Sequence, residues 1–387
     1  MDDVPAGPAS PEPRRPPLAV VVPVRDGGSD FECCHRRLRD SSWTDYELIV
    51  VDDGSTDESA ALAQRMGARV VRHDRPLGPA AARNLGATLA AAPLNFFLDA
   101  DVAVHKGTLS LGIARFAADP SLTALFGSYD DRPSARGVVS QFRNLLHHFV
   151  HQQGTFHDNT RPAHTFWTGC GMIRRQVFLD FGGFDPRLYP RPAIEDIELG
   201  YRLTRCGHRI VLARDVQATH LKRWTLREMV RTDIFRRGVP WMLLIKRSGT
   251  TETDLNVKPT QRICVAITGV VWLAVGLIPW APWSTAVSGL GSAAIIGLNR
   301  DFYRFLLRRR GPALALLSVP LHLVYYTCCG VSVAIALVQW HVRRLASRSS
   351  VERGAGSKRP DRGTVAVPRP FLSRIAGRLA RWTARSK

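Results

Sequence analysis

Three pairs of acidic residues stand where apolar segments give way to a turn or a helix, and such pairs could do chemistry. The pairs are Asp52 with Asp53, Asp99 with Asp101, and Glu195 with Asp196. Carboxylates can accept hydrogen bonds from a ligand, bind a hard divalent cation or remove a proton. The three pairs are therefore the candidate functional residues.

Asp99 and Asp101 belong to the segment NFFLDADVAV, whose apolar residues are typical of a buried strand. On one continuous strand the two side chains would project to the same face and repel each other. A Mg²⁺ or Mn²⁺ ion between this strand end and a diphosphate would remove the repulsion, because these ions prefer carboxylate and phosphate oxygens. We therefore expect a divalent-metal site here.

Asp52 and Asp53 end the strand pattern YELIVVDD, and the turn residues GSTD follow. A carboxylate in this place could accept hydrogen bonds from a nucleotide base or from ribose hydroxyls. The alternative is a strand-to-helix turn in which the acids only cap the next helix.

Glu195 and Asp196 begin a helical pattern that Gly207 ends. The helix dipole favours the anionic form of a carboxyl group at a helix N-terminus, and an anionic carboxylate is ready to act as a base. The alternative is a pair of first-turn acids that only stabilise the helix.

The acids belong to an alternating pattern of strands and helices. Strand patterns at 17–28, 46–57, 69–74 and 95–104 alternate with helical patterns that include 58–68 and 78–92. This alternation predicts an α/β sheet with helices on its faces. Ligands of such sheets bind outside the carboxyl ends of the strands, which is where these acids lie.

The C-terminal part of the chain has the composition of membrane helices. Residues 263–299 contain no Asp, Glu, Lys or Arg for 37 positions, and 311–340 form a second uncharged run. A span needs about 20 such residues, and PWAPW at 279–283 indicates a hairpin with Trp at an interface. We expect transmembrane or interfacial helices over 263–340, joined by a basic loop at 300–310, with the number of crossings left open.

The chain therefore divides into five predicted parts. They are a disordered Pro-rich lead at 1–16, a catalytic domain at 17–225, a basic juxtamembrane segment at 226–262, membrane helices at 263–340 and a basic tail at 341–387. The lead has no charged n-region followed by an apolar h-region, and the seven cysteines do not suggest a disulfide framework. We expect a multi-pass protein of the cell membrane with its catalytic domain in the cytoplasm.

The formal net charge of +20 is concentrated in the tail, where 13 Lys and Arg residues stand against two acids. Residues 370–387 carry apolar side chains at helical spacing with Arg on the other faces, which predicts an amphipathic basic helix. Because apolar helices precede the tail, we expect it to bind anionic membrane lipids and not nucleic acid.

The ordered set of motifs resembles the family 2 glycosyltransferases, in particular membrane-attached bacterial members. The matching segments over residues 17–225 are VVVPVRDG, VVDDGSTD, GPAAARNLG, FLDAD, GCGMIRR…FGGFD and IEDIELGYRL. The resemblance implies a Rossmann-like, nucleotide-sugar-binding GT-A fold. It also implies an inverting, metal-dependent sugar transfer of the hexosyltransferase type, in keeping with a role in the cell envelope.

The resemblance implies roles for individual residues on the donor side. Pro23 lies in the first-strand motif, Asp53 resembles the acid that binds the nucleotide base, and Asp52 lies beside it. Arg83 resembles a basic residue near the nucleotide, and Asp99 would contact the ribose or the metal ion.

It also implies roles at the reacting centre. Asp101 resembles the metal ligand, and Asp196, beside Glu195, resembles the catalytic base. The loop that flanks the sugar is represented by Gly169, Cys170 and Gly171.

The sequence departs from the family pattern in two places. Arg25 and Asp26 stand where the first-strand motif usually continues with Tyr-Asn, and His220 replaces the Gln of the Q-x-x-R-W motif of processive synthases. This replacement and the small number of spans disfavour a polymer-extruding enzyme. Arg223 and Trp224 would hold the leaving diphosphate or stack on a sugar, with a juxtamembrane anchor as the alternative.

We expect transfer of a sugar from a nucleotide-sugar donor to a lipid-linked or glycan acceptor, with Asp196 as the base. A polyprenyl-phosphate acceptor is an alternative, because a phosphate anion needs no base. A sugar nucleotidyltransferase uses a similar sheet but would carry a Gly-rich basic loop after the first strand, where this chain offers only Arg25. The histidines between 147 and 164 are interpreted as lining an acceptor loop or facing solvent and not as a zinc site.

Overall fold

A computed structural model describes residues 16–249 and 258–354, with side chains described up to 345. Its N-terminal part alternates strands with helices, as the sequence predicts. In chain order these elements are β1 (Leu18–Val24), α1 (Gly28–Arg39), β2 (Tyr46–Asp52), α2 (Ser59–Arg65), β3 (Arg69–Arg72), α3 (Pro79–Leu89) and β4 (Leu94–Leu98). The four strands are parallel and lie in the order β3-β2-β1-β4.

The sheet continues beyond β4 with strands of mixed direction. The further elements are β5 (Val102–Val104), α4 (Thr108–Ala118), β6 (Leu122–Tyr129), α5 (Val138–His151), β7 (Thr160–Ala163), β8 (Cys170–Arg174), α6 (Arg175–Asp180), α7 (Glu195–Arg205) and β9 (Arg209–His220). β8 runs antiparallel between β4 and β6, and β9 pairs with β6, β5 and β7. In the described residues the sheet has nine strands, so the predicted α/β architecture is confirmed as a mixed sheet.

The central strands are buried on both faces because helices cover both sides of the sheet. Val20 and Val22 of β1 pack into one apolar core, and the intervening Val21 packs into the core on the other face. Phe97 of β4 contacts Phe178 and Phe184 in this second core, with ring centroids 5.1 and 5.5 Å apart. The two cores hold the carboxyl ends of β1, β2 and β4 together at one edge, where the acids lie.

The segment NFFLDADVAV is not one strand, which corrects the expectation that Asp99 and Asp101 share a strand face. β4 ends at Leu98 and β5 begins at Val102, and the intervening residues turn, with the amide of Val102 donating to the Asp99 carbonyl at 3.0 Å. The turn arises because β5 leaves β4 to pair antiparallel with β9. The two carboxylates therefore reach different partners.

In its described residues the C-terminal part consists of helices joined by short turns. It comprises α8 (Leu226–Arg231), a π-helical turn (Thr232–Gly238), α9 (Val239–Ser248), α10 (Pro259–Leu277), α11 (Ser284–Leu298), α12 (Arg300–Arg310) and α13 (Pro312–Gly354). The hairpin expected at 279–283 is present between α10 and α11. The basic stretch 300–310 is helix α12 and not a loop, because Phe302 and Leu306 pack against α5 and α13 in a buried cluster.

Two helices in the described residues are long and apolar enough to cross a membrane, namely Pro259–Leu277 and Pro312–Leu345. Several large apolar side chains on α10, α11 and α13 are exposed, including Leu273, Leu290 and Leu316, each at least 70% accessible. Two predicted segments lie outside the described residues. They are the lead at 1–16, except for residue 16, and the amphipathic helix at 370–387. The predicted domain boundaries remain predictions.

A close approach of two strands supplies a stability prediction. The register of β6 against β9 shifts between Phe126 and Ser128, and a Cβ atom at Gly127 would overlap the carbonyl oxygen of Val216. Because the obstacle is backbone, we expect Gly127→Ala to lower the free energy of unfolding by at least about 2 kcal/mol. Chemical denaturation measures this loss.

Gly107→Ala is the matched control, since its Cβ would meet only Leu111 at 3.8 Å. Equal stability of the two variants would contradict this account of the strand crossing.

Candidate active site

Arg83, from α3, connects two of the three acid pairs. Its Nη2 donates to Asp99 Oδ1 at 2.5 Å, and its Nη1 donates to Glu195 Oε1 at 2.9 Å. Burial lowers the pKa of Arg83, but the charges of Asp99 and Glu195 outweigh burial and leave the pKa above its usual value. The guanidinium thus joins the turn after β4 to the start of α7.

Asp196, the expected base, lies one residue further along α7. Its Oδ2 accepts from the amide of Thr168 at 3.1 Å, and its Oδ1 accepts from the amide of Ile197 at 2.8 Å. Burial and the neighbouring Glu195 raise the pKa of Asp196 to about 6, against the opposing charge of Arg83. The helix N-terminus was expected to favour the anion, but burial and the like charge decide the direction instead.

This raised pKa suits a proton acceptor. At pH 7 most of the Asp196 carboxyl groups are still ionised, and a base is most effective when its pKa lies near the working pH. Glu195 is less suited to this role, because its Oε1 is bound to Arg83 and its Oε2 accepts from the amide of Ala193 at 2.9 Å.

Asp53 is enclosed by its own chain at the end of β2. Its Oδ1 contacts Nδ1 of His73 at 2.7 Å and accepts from the amide of Leu77 at 2.8 Å, while its Oδ2 accepts from the amide of Gly78 at 2.8 Å. Asp53 therefore orders the loop that leads from β3 to α3. If the nucleotide base of the sugar donor binds here, it would share the Asp53 carboxylate with these three groups.

Asp52 is fully buried, and its Oδ1 accepts from the amide of Ser55 at 2.8 Å. Its Oδ2 lies 3.3 Å from Nε of Arg72. In this structure Asp52 caps the turn after β2, and its predicted contact with the donor stays a prediction. Pro23, by contrast, is partly exposed in β1 at the same edge.

The three residues expected in a loop that flanks the sugar lie deeper than predicted. Cys170 and Gly171 are buried residues of β8, and only Gly169 belongs to the preceding turn. Burial raises the pKa of the Cys170 thiol to about 12. Cys170 and Gly171 are strand residues and not loop residues, because β8 inserts between β4 and β6; their role beside the sugar stays a prediction. Trp167, next to this turn, is partly exposed and was missed in the sequence.

Asp101 faces His220, with its Oδ2 3.6 Å from the imidazole Nε2. Burial raises the pKa of Asp101, but the contact with His220 and the charge of Lys222 lower it further than burial raises it. About a third of the Asp101 side chain is exposed, so the carboxylate remains open to a ligand. His220 stacks on Tyr129, with ring centroids 4.3 Å apart.

Asn144, from α5, determines which nitrogen of His220 faces Asp101. Its Oδ1 accepts from Nε1 of Trp224 at 3.2 Å, and since an indole nitrogen only donates, this amide atom must be oxygen. The same oxygen lies 2.7 Å from Nδ1 of His220, so Nδ1 carries a proton. When the ring is protonated, Nε2–H faces Asp101, and this is the contact that lowers the pKa of that carboxyl. In the neutral ring Nε2 presents a lone pair to Asp101, an arrangement that a cation between the two would stabilise.

Trp224 therefore supports His220 through Asn144, and its contact with a diphosphate or a sugar stays a prediction. It is 8% exposed, and Nζ of Lys222 lies 4.6 Å above its ring. Arg223 is exposed. Burial and the charge of Asp101 raise the pKa of Asp30, whereas the charges of Arg223 and His220 lower it. The carboxylate of Asp30, from α1, was missed because its sequence context is an ordinary first helical turn.

The donor set fits a divalent cation that a substrate completes. No group of three or more His, Cys, Asp and Glu side chains gathers as a metal site in the described ranges. Asp101 and His220 offer two donors, and Mg²⁺ or Mn²⁺ is often held by one or two side chains plus substrate phosphates.

The histidines of α5 are not part of this set. His148 lies near the carbonyl of Tyr129, and His151 near that of Gly127. Both side chains are buried, so these two histidines do not face solvent, which was one of the two placements expected for them.

Comparison with known proteins identifies the domain. Residues 19–182 match the model of glycosyl transferase family 2. A pre-mycofactocin glycosyltransferase of Mycobacterium tuberculosis (strain ATCC 25618 / H37Rv) is 28% identical over 242 residues, which cover 60% of this chain and 49% of that protein. A validoxylamine A glucosyltransferase of Streptomyces hygroscopicus subsp. limoneus is 30% identical over 239 residues, covering 53% and 52%.

An uncharacterized protein of M. tuberculosis (strain CDC 1551 / Oshkosh) is 30% identical over 204 residues, which cover 49% of this chain and 63% of that protein. The chain thus spans about half to three fifths of the length of these relatives. A mannosyltransferase of Pyrobaculum calidifontis, solved with GDP-mannose and Mn²⁺, superposes with a TM-score of 0.51 at 18% identity, covering 84% of this chain and 87% of that one. The chain carries a family 2 glycosyltransferase domain with the GT-A fold.

The contacts of Arg83 generate a second stability prediction. We expect Arg83→Met to lower the free energy of unfolding by about 3 kcal/mol, because Glu195 would keep its charge in a buried place without a partner. Denaturant titration measures the change.

Arg132→Ala is the control, because Arg132 is 87% exposed and its one ion pair, with Asp131, is long at 3.8 Å. We expect this variant to change the free energy of unfolding by no more than about 0.5 kcal/mol. A loss for Arg83→Met as small as that of this control would show that the three-residue bridge is not formed.

Proposed function

We propose that this family 2 glycosyltransferase is a membrane-associated, inverting enzyme that moves a sugar from a nucleotide-sugar donor to a hydroxyl of a lipid-linked or glycan acceptor. The observation that carries the proposal is the position of Asp196. A carboxylate whose pKa is raised to about 6 lies beside the Arg83 bridge, which also binds Asp99. A proton acceptor and the carboxylates of the donor side thus share one edge of the sheet.

The donor would bind at the carboxyl ends of β1, β2 and β4, with Pro23 and the Asp53 loop near its nucleotide. The GDP-mannose in the similarly folded mannosyltransferase supports a nucleotide-sugar donor. Arg83 is enclosed by two carboxylates, so in this proposal it positions Asp99 and Glu195 and does not bind the diphosphate directly.

Asp101 and His220 would hold the divalent cation. When bound, the ion offsets the charge that develops on the leaving diphosphate. A set that includes an imidazole nitrogen favours Mn²⁺ over Mg²⁺, because Mg²⁺ prefers oxygen ligands and binds imidazole weakly. Asn144 and Trp224 keep Nε2 of His220 directed toward Asp101.

Asp196 would remove the proton from the acceptor hydroxyl as its oxygen attacks the anomeric carbon. The bond to the acceptor forms while the bond from the anomeric carbon to the diphosphate breaks, and attack from the opposite face inverts the configuration. The amide and the hydroxyl of Thr168, 3.1 and 3.3 Å from Oδ2, would hold the carboxylate in the required direction. Glu195 contributes through its negative charge, which keeps the pKa of Asp196 high.

The exposed apolar surface of the C-terminal helices supports membrane association. In the most apolar 18-residue stretch of each helix, only 22% of α10 and 39% of α13 is buried. The core helix of a soluble protein would be mostly buried. Trp280 and Trp283 in the α10–α11 turn are 80% and 69% exposed, a position typical of a membrane interface. Arg300, Arg304 and Arg308 of α12 would lie near lipid head groups.

The role of Asp196 generates a prediction about rate and pH. We expect Asp196→Asn to lower kcat by about 10²–10⁴-fold, since the amide cannot accept the proton, while the dissociation constant of the donor stays within a factor of about three. In the wild type, activity should rise as pH increases through about 6, because the base works only when deprotonated.

Steady-state kinetics across pH 5–8 measure both effects. Glu198→Gln is the control on the same helix, since Glu198 pairs with Arg202 and not with the site. Full activity of Asp196→Asn would remove the base from the mechanism and favour the phosphate-acceptor alternative.

The cation site generates a prediction about metal dependence. A chelator should abolish turnover, and Mn²⁺ should restore it at lower concentration than Mg²⁺. We expect His220→Ala to raise the half-saturating Mn²⁺ concentration by at least about tenfold, and Asn144→Leu to raise it about 10–100-fold through loss of ring orientation.

His208→Ala is the control, because His208 contacts Thr123 outside the site. Unchanged metal dependence in both the His220 and the Asn144 variants would show that the imidazole does not bind the ion.

A further inference from the structure

A cavity of about 650 Å³ lies where the glycosyltransferase domain meets the C-terminal helices. Its walls come from α5, the π-helical turn, α9, α10 and α13, so part of it belongs to the two helices that are apolar enough to enter a membrane. The volume is in the range of cavities that enclose small ligands, about 300–1,000 Å³. No residue of the proposed donor or metal site lines it.

The cavity is apolar over most of its wall, and its charged lining residues are mostly positive. Apolar side chains such as Met242, Val265 and Val333 form one part. The charged residues among its lining are Arg143, Asp233, Arg237, Lys246 and Arg262, four cations against one acid. This division matches a ligand that carries a hydrocarbon chain and an anionic head.

Arg237 is the cation of the lining that is partly buried and makes no ion pair among the described residues. Arg143 is already paired with Asp233, through Nη2 and Oδ1 at 2.5 Å, and its guanidinium lies 5.9 Å from the Tyr325 ring. Among the described residues no carboxylate lies within ion-pair distance of Arg237. Burial and the repulsion from Arg143 lower the pKa of Arg237 by more than the charges of Asp233, Tyr129 and Asp196 raise it.

The π-helical turn places Arg237 in this position. π-turns in helices are rare and frequently occur at functional sites. Gly238, the last residue of the turn, lies so close to α13 that a Cβ atom would overlap Oγ of Ser332. Arg236, one residue earlier, lines a different pocket with Arg231 and Arg343. The two adjacent arginines therefore serve different surfaces.

The cavity is electrostatically connected to the reacting centre. Arg143, which lines the cavity, lies 5.8 Å from the ring of Trp224, and Trp224 and His220 both bind Oδ1 of Asn144. The charges of Tyr129 and Asp196 also raise the pKa of Arg237. A ligand held by its anionic head at Arg237 would therefore lie near the residues that orient His220.

We propose that this cavity binds the lipid part of a lipid-linked acceptor, whose phosphate group pairs with Arg237 and whose first chain units occupy the space beside α10 and α13, while a hydroxyl beyond the phosphate is left to Asp196. The proposal rests on the proposed function, since it names the acceptor class of the same enzyme. Lys246 and Arg262, which line the cavity and are exposed, would attract the head group from an anionic membrane surface.

Calorimetry on the full-length protein in a neutral detergent, without donor or metal, tests the binding. Farnesyl phosphate, farnesol and inorganic phosphate separate the contributions of chain and charge, and lysophosphatidic acid separates an acyl from an isoprenoid chain. We expect farnesyl phosphate to bind at least tenfold more tightly than farnesol or inorganic phosphate. Arg237→Ala should remove at least tenfold of that affinity, whereas Arg236→Ala, the matched control, should change it less than threefold.

Equal binding of farnesyl phosphate and farnesol would overturn the proposal, as would equal losses in Arg236→Ala and Arg237→Ala, which would indicate general surface attraction. Arg237→Ala should keep the wild-type Tm, because it removes a cation that makes no ion pair among the described residues. If it unfolds, Val333→Trp, which fills the cavity and keeps the charge, should abolish binding of farnesyl phosphate at unchanged Tm, and undiminished binding in that variant would overturn the proposal.

Failure of the cavity proposal can be distinguished from failure of the proposed function. Asp196→Asn should bind farnesyl phosphate as the wild type does. Normal activity of Asp196→Asn together with Arg237-dependent binding would reject the base and leave the cavity assignment in place.

Discussion

The site depends on one buried guanidinium that must satisfy two carboxylates from distant parts of the chain. Arg83 binds Glu195, which lies 112 positions away, and Asp99, which lies 16 positions away. Only a planar, permanently charged group with several donors can hold both at once, and a lysine ammonium lacks that fixed geometry. Because the bridge fixes the start of α7, it also fixes Asp196, and its positive charge keeps the pKa of that carboxyl from rising further.

Much of the glycosyltransferase domain could be predicted from the sequence, because its strands and helices follow local patterns. The apolar runs of β1, β2 and β4 and the glycines after α2 and α7 indicate the elements directly. The turn at Asp99–Asp101 could not be found this way. It exists because β5 pairs with β9, more than 100 residues later, and alternation of residue types carries no information about such a partner.

The chemistry of the candidate site was less predictable than its position. Asp196 was correctly placed at a helix N-terminus, but the direction of its pKa depends on burial and on the neighbouring charge of Glu195. The tautomer of His220 depends on Asn144, which lies 76 positions away, and the burial of Asp52 depends on the whole sheet. These properties arise from packing, whereas the identities of the acids are visible in the motifs.

The π-helical turn at 232–238 suggests how readily the chamber beside the domain could be gained or lost. A π-turn accommodates one residue more than an α-helical turn, and each residue of an α-helix rotates the next side chain by about 100°. Removing a single residue before Arg237 would therefore swing its guanidinium away from the chamber, while α9 could keep its packing against α13 by a small shift. Related chains of nearly identical length and catalytic motifs could in this way differ in the molecules they accept.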